Sequence, residues 1–64
     1  MGMEEELMQR FLNKHVRLVL KPHFVIDGHV TEVHESGFFF STPQKTSYIS
    51  YDALLEVQPM EEKL

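Results

Sequence analysis

The chain contains no cysteine. Disulfides and thiolate metal sites are therefore excluded, and the absence fits a reducing cytoplasm. Basic residues are scarce: six Lys and Arg stand against ten Asp and Glu, a formal net charge of −4 at pH 7. Broad electrostatic attachment to nucleic acid needs a basic footprint, so only a local patch is open to this chain. Much of the acid sits at the two ends, in Glu4, Glu5 and Glu6 and again in Glu61 and Glu62. No apolar run approaches the roughly 20 residues of a membrane span. The start lacks a basic region followed by an apolar one, so no signal peptide is expected. Repeats and low-complexity segments are also missing, and Met1-Gly2-Met3 reads as a cloning scar ahead of a native start.

What is present fits one small domain of 64 residues. A chain this short buries only about 60% of the surface its unfolded form exposes, and its core supplies about 3–5 kcal/mol. With disulfides excluded, self-association is the natural supplement.

Met3, Leu7, Met8, Phe11 and Leu12 recur at spacings of three and four, one apolar stripe of an amphipathic helix over about residues 3–13. Acid at its start and Lys14 at its end suit the macrodipole. Glu6 and Arg10 are placed to pair, and Asn13 suits a left-handed cap. A helix this short is marginal alone, so its stripe must dock on the rest of the chain.

From His15 onward the pattern alternates, as a strand does. Pairing across a Lys21-Pro22-His23 loop sets Leu20 against Phe24, Leu18 against Ile26 and Val16 against Gly28. The same register sets Val19 against Val25, Arg17 against Asp27 and His15 against His29. One register thus yields an apolar inner face and a complementary charge pair. Asp27-Gly28 is also a type I′ turn sequence, but this register places Gly28 inside a long, bent strand. The shift of apolar parity between Val30 and Val33 fits such a bend. Glu35-Ser36-Gly37 reads as a turn with Gly37 at positive φ. Phe38-Phe39-Phe40 follows, a run that alternation permits only if both faces are covered. Thr42 to Lys45 reads as a loop, Thr46 to Ser50 as a fourth strand, Tyr51-Asp52-Ala53 as one turn of 3₁₀ helix, and Leu54 to Val57 as a fifth strand stopped by Pro59. Residues 59–64 read as a frayed tail. The expected class is mainly β: a five-stranded, strongly bent antiparallel barrel over about residues 15–58, preceded by the helix.

This order of parts resembles the Sm-like family, which includes bacterial Hfq. The segment Phe11 to Leu18 is similar to that family's helix end and first strand. Gly28, Val30 and Val33 resemble its first signature, and Ile49 through Val57 its fourth strand, 3₁₀ turn and fifth strand. The likeness spans about Leu7 to Val57 and lies in pattern and spacing. The loop that holds Asp and Asn in typical members is His34-Glu35-Ser36-Gly37 here. The Arg-Gly or Lys-His before the family's last strand is replaced by Ser50-Tyr51-Asp52.

The resemblance implies a homo-oligomeric ring of six or seven subunits, in which the fourth strand of one copy pairs with the fifth of the next. Thr46, Ser47, Tyr48 and Ile49 would then face Leu55 and Val57 of a neighbour. It also implies single-stranded RNA at the pore, at His34, Glu35, Ser36, Ser50, Tyr51 and Asp52, with Lys45 on the backbone. Tyr51 is the residue suited to stack on a base. The plainer reading of these residues is that Ser50 caps the 3₁₀ turn and Tyr51 packs on its neighbours. A second function fits the acidic charge: a barrel of the same shape serving as a protein-interaction or assembly module. No nucleophile elbow, phosphate loop or paired-His motif occurs, so no enzyme, cofactor or small-molecule substrate is expected. Of the four histidines only His15 and His29 are placed side by side. Two ligands fall short of the usual metal set, so no metal is expected.

Overall fold

The computed structural model describes residues 3–60. A short helix, α1 (Met3–Arg10), precedes strands β1 (His15–Leu20), β2 (Phe24–Val33), β3 (Gly37–Ser41) and β4 (Thr46–Ser50). A 3₁₀ turn, η1 (Tyr51–Ala53), then leads into β5 (Leu54–Pro59). All five strands form one antiparallel sheet in the order β4-β3-β2-β1-β5.

The β1–β2 register is the one that alternation predicts, from His15 opposite His29 to Leu20 opposite Phe24. No turn occurs at Asp27-Gly28; β2 runs through it. Gly28 is buried, and a Cβ there would lie 2.9 Å from the Phe40 ring and closer still to the Ser41 carbonyl oxygen. Glycine is required because the β3 backbone at Ser41 presses closely against it. The parity shift is a bulge: the register steps from Val30 opposite Phe40 to Glu32 opposite Phe39, leaving Thr31 over. One predicted inner-face residue departs from the pattern. Phe24 is 60% exposed, because it ends the ladder beside the β1–β2 turn with no strand beyond to cover it.

Connectivity shows how strongly the sheet curls. β4 and β5 are its opposite edges, yet only η1, three residues long, joins them. In a flat sheet four strand spacings of about 4.8 Å would separate them by about 19 Å. The four chain steps from Ser50 to Leu54 reach at most about 14 Å. The sheet therefore bends toward itself at that end. No ladder joins β4 to β5, and both remain edges.

The concave side holds the core. Met8, Val16, Leu18, Val30, Phe38 and Phe40 are fully buried, with Ile49 nearly so. Phe38 and Phe40 meet edge to face, their ring centres 6.3 Å apart. Phe39 points the opposite way, and the cover for that second face comes from the same chain, as described below.

The helix departs from expectation in length and contact. It ends at Arg10 instead of near residue 13. Leu12 bridges Val30, and the Asn13 N–H donates to the Val30 carbonyl at 2.6 Å. Bonding to β2 thus replaces the last helical turn. Asn13 closes it at φ 65°, the left-handed cap its identity suggested. Within α1 Met8 is the buried residue, and Leu7 and Met3 on the predicted stripe are exposed. Phe11 and Leu12, just past the helix, complete the docking by packing against the core. Among the described residues Glu6 and Arg10 form no ion pair, as suits exposed charges whose pairing gains little. β5 extends through Pro59, so the strand is longer than alternation indicated. Residues 61–64, the rest of the predicted tail, and Met1-Gly2 lie outside the described residues. No described helix is long and apolar enough to cross a membrane.

Candidate functional site

At the end of the sheet where η1 leaves β4, the β2–β3 turn and η1 come together. The Tyr51 N–H donates to the Ser36 carbonyl at 3.2 Å. The Tyr51 hydroxyl donates to the His34 carbonyl at 2.7 Å. The Ser50 hydroxyl accepts from the Asp52 N–H at 3.2 Å and so caps η1. The structure thereby joins His34, Glu35 and Ser36 to Ser50, Tyr51 and Asp52, the two segments the resemblance pairs. Lys45 is elsewhere. It lies beyond the Ser41–Thr46 end of the β3–β4 ladder, whereas the cluster sits at the Gly37–Ser50 end.

Tyr51 is half-buried, and its ring lies 5.8 Å from that of Phe38. Burial, and then Glu5, Tyr48 and Glu4, raise its hydroxyl above the ordinary tyrosine range. The acidic start of α1 therefore extends its field over this site. With Glu35 and Asp52 in the cluster, the local sign is negative, which opposes phosphate. The geometry matches the plainer roles named for Ser50 and Tyr51, a cap and a packing ring. Tyr51→Phe is expected to cost about 1 kcal/mol for the lost hydrogen bond, read from urea denaturation midpoints.

Gly37 corrects another expectation. No glycine among the described residues has positive φ. The turn is closed by the His34 N–H donating to the Gly37 carbonyl at 2.8 Å. Gly37 is needed for room: a Cβ would lie 2.7 Å from the Tyr48 ring and hydroxyl, and closer to the Ile49 carbonyl. That packing positions the Tyr48 hydroxyl 2.6 Å from the Ser36 hydroxyl.

Tyr48 also belongs to an aromatic row on the outer face that sequence reasoning missed. Phe39 meets Tyr48 edge to face at 5.2 Å and His34 edge to face at 5.6 Å. His34 Nε2 lies 2.9 Å from Glu32 Oε1. The triple Phe was the available signal: its middle residue had to face away from the core. Of the residues read as a subunit contact, Thr46 and Tyr48 on β4 and Leu55 on β5 are exposed, and Ser47 and Val57 are half-buried. Ile49 is core, so its side chain is spent inside the subunit.

Beyond this end, Arg17 and Asp27 pair as predicted, through Nε at 2.8 Å and a second nitrogen at 3.3 Å. Hydrogen bonding from Arg17 lowers the Asp27 carboxyl below its ordinary range. Slight desolvation opposes this, and the charges of Arg17 and His15 add to it. A lowered folded pKa gives stability that is present above the unfolded value, about 4, and lost as pH falls through the folded one. Asp27→Asn should therefore lower the melting temperature at pH 7 and leave it unchanged near pH 2. Paired thermal melts at the two pH values check this.

No cluster of three or more His, Cys, Asp or Glu suited to a metal occurs among the described residues. Set beside known proteins, the chain matches no family model, no curated protein and no solved structure.

Proposed function

We propose that the chain is an Sm-like module whose curled sheet completes a barrel-like wall, assembles into a homo-oligomeric ring and binds single-stranded RNA near the ring's opening. The observation that carries this reading is the pair of open edges. β4 and β5 each lack a partner on one side, and β4 has neither proline nor charge within it. Unpaired strand edges invite another strand. Pairing β4 of one copy with β5 of the next satisfies both, and a ring of six or seven subunits leaves no free edge. A core of seven buried side chains among the described residues also gains from subunit contacts in a domain this small. The bent β2 with Gly28, and η1 between the last two strands, support the same family reading.

A second reading has its own observation. The His34–Ser36 and Ser50–Asp52 cluster is acidic and much of it is tied up in internal hydrogen bonds. A barrel used for protein interaction fits that chemistry without RNA.

Native mass spectrometry tests assembly: a mass of six or seven chains is expected, and a stable monomer overturns the ring. Filter-binding titrations with U-rich and A-rich oligonucleotides at low and moderate salt test the ligand. Binding that weakens as salt rises supports RNA. An intact ring with no binding at low salt leaves the assembly module as the function.

A further inference from the structure

Three residues that neither reading uses line one hollow on another part of the sheet. His15 and His29 are cross-strand partners on β1 and β2, and both are exposed. Their rings are stacked, centred 5.2 Å apart and 21° from parallel. They stand between two adjoining hollows of about 440 and 390 Å³. Met60 lines the larger one together with both histidines. Its N–H donates to the His15 carbonyl at 3.1 Å, which holds it beside that strand.

We propose that His15, His29 and Met60 form a binding site for monovalent copper, with two imidazole nitrogens and one thioether sulfur around a single ion. Spacing is the first argument. An ion about 2.0 Å from one nitrogen of each ring, at angles between square and tetrahedral, puts the ring centres about 4.5–5.2 Å apart. The observed separation falls at the upper end of that range. The β1–β2 ladder holds the two residues opposite each other before any ion arrives. The rings are stacked in the free chain and turn about their side-chain bonds to bring one nitrogen each onto the ion.

Ligand softness selects the ion. Thioether sulfur favours monovalent copper over zinc, magnesium or calcium. Among the described residues no third histidine or carboxylate completes a harder set around this pair, and the chain has no cysteine to compete. Charge points the same way. Lys14 lines the hollow that holds Met60, and Asp27, which lines the other, is engaged by Arg17. A single positive charge is repelled by Lys14 less than a double one. Binding involves no electron transfer, and it does not depend on ring assembly or RNA.

The test is an anaerobic titration of the full chain with Cu(I) against a colorimetric chelator, with Ni(II) titrated in parallel. One equivalent of Cu(I) per chain is expected. His15→Gln and His29→Gln should each weaken it at least about tenfold, by loss of a ligand. Both side chains are exposed, so the fold should persist, as circular dichroism can verify. Met60→Leu should weaken Cu(I) by about the same factor while leaving Ni(II) unchanged. In NMR spectra, Cu(I) should shift the ring protons of His15 and His29 and the methyl of Met60. Unaltered Cu(I) affinity in any of the three variants, or an unshifted Met60 methyl, overturns the site.

Discussion

Gly28→Ala will remove most of the chain's stability in water. The added methyl would stand inside contact distance of the Ser41 carbonyl and 2.9 Å from the Phe40 ring. Neither neighbour can yield cheaply. The carbonyl is β3 backbone held in the β2–β3 ladder, and Phe40 is fully buried. Forcing a methyl into such a place costs about 3 kcal/mol, against a total of about 3–5 kcal/mol for a domain of this size. Urea denaturation at fixed protein concentration measures the loss. The control is Val25→Ala, at a position 55% exposed on the same strand, where a change within about 0.5 kcal/mol is expected. Equal stability of Gly28→Ala and the parent would mean that the Ser41 backbone does not approach Gly28 as described.

Phe38→Ala is expected to cost still more, about 4 kcal/mol. Phe38 is fully buried, packs edge to face on Phe40 and touches the Tyr51 ring. Removing it opens a cavity beneath η1 and loosens the Tyr51 hydroxyl from the His34 carbonyl. Phe38→Leu keeps most of the apolar volume and should retain a cooperative transition at lower midpoint. Its neighbour supplies the contrast: Phe39→Ala should cost less, because Phe39 is only half-buried on the outer face. If Phe38→Ala and Phe39→Ala were equally destabilising, the inward and outward assignment within the triple Phe would fail.

These two positions show what kind of information the chain carries locally. The β1–β2 register was legible because alternation on two neighbouring strands has one solution that buries Val16 and Leu18 and also joins Arg17 to Asp27. Gly28 inside a bent strand followed from that register and not from its turn propensity. The 3₁₀ turn and its Ser50 cap were likewise local, a matter of residue types at adjacent positions. The candidate site was half legible. His34–Ser36 and Ser50–Asp52 do converge, but their hydrogen bonds to one another and the outer row of His34, Phe39 and Tyr48 depend on contacts between distant segments. Lys45 shares only basic charge and a loop position with a backbone-contacting residue, and the ladder puts it at the opposite end of β4.

By itself the sequence determined the number of strands, their antiparallel succession, the first hairpin's register and the need for glycine at position 28. Each of these is set by neighbours along the chain or across one short loop, where side-chain periodicity leaves a single solution. Tertiary structure alone decided that β1 lies between β2 and β5, that the helix stops at Arg10 to bond with β2, and that Gly37 makes room for Tyr48 instead of turning the chain. Those outcomes arise from surfaces that meet only once the sheet has curled, and no spacing along the chain records which remote surfaces will touch.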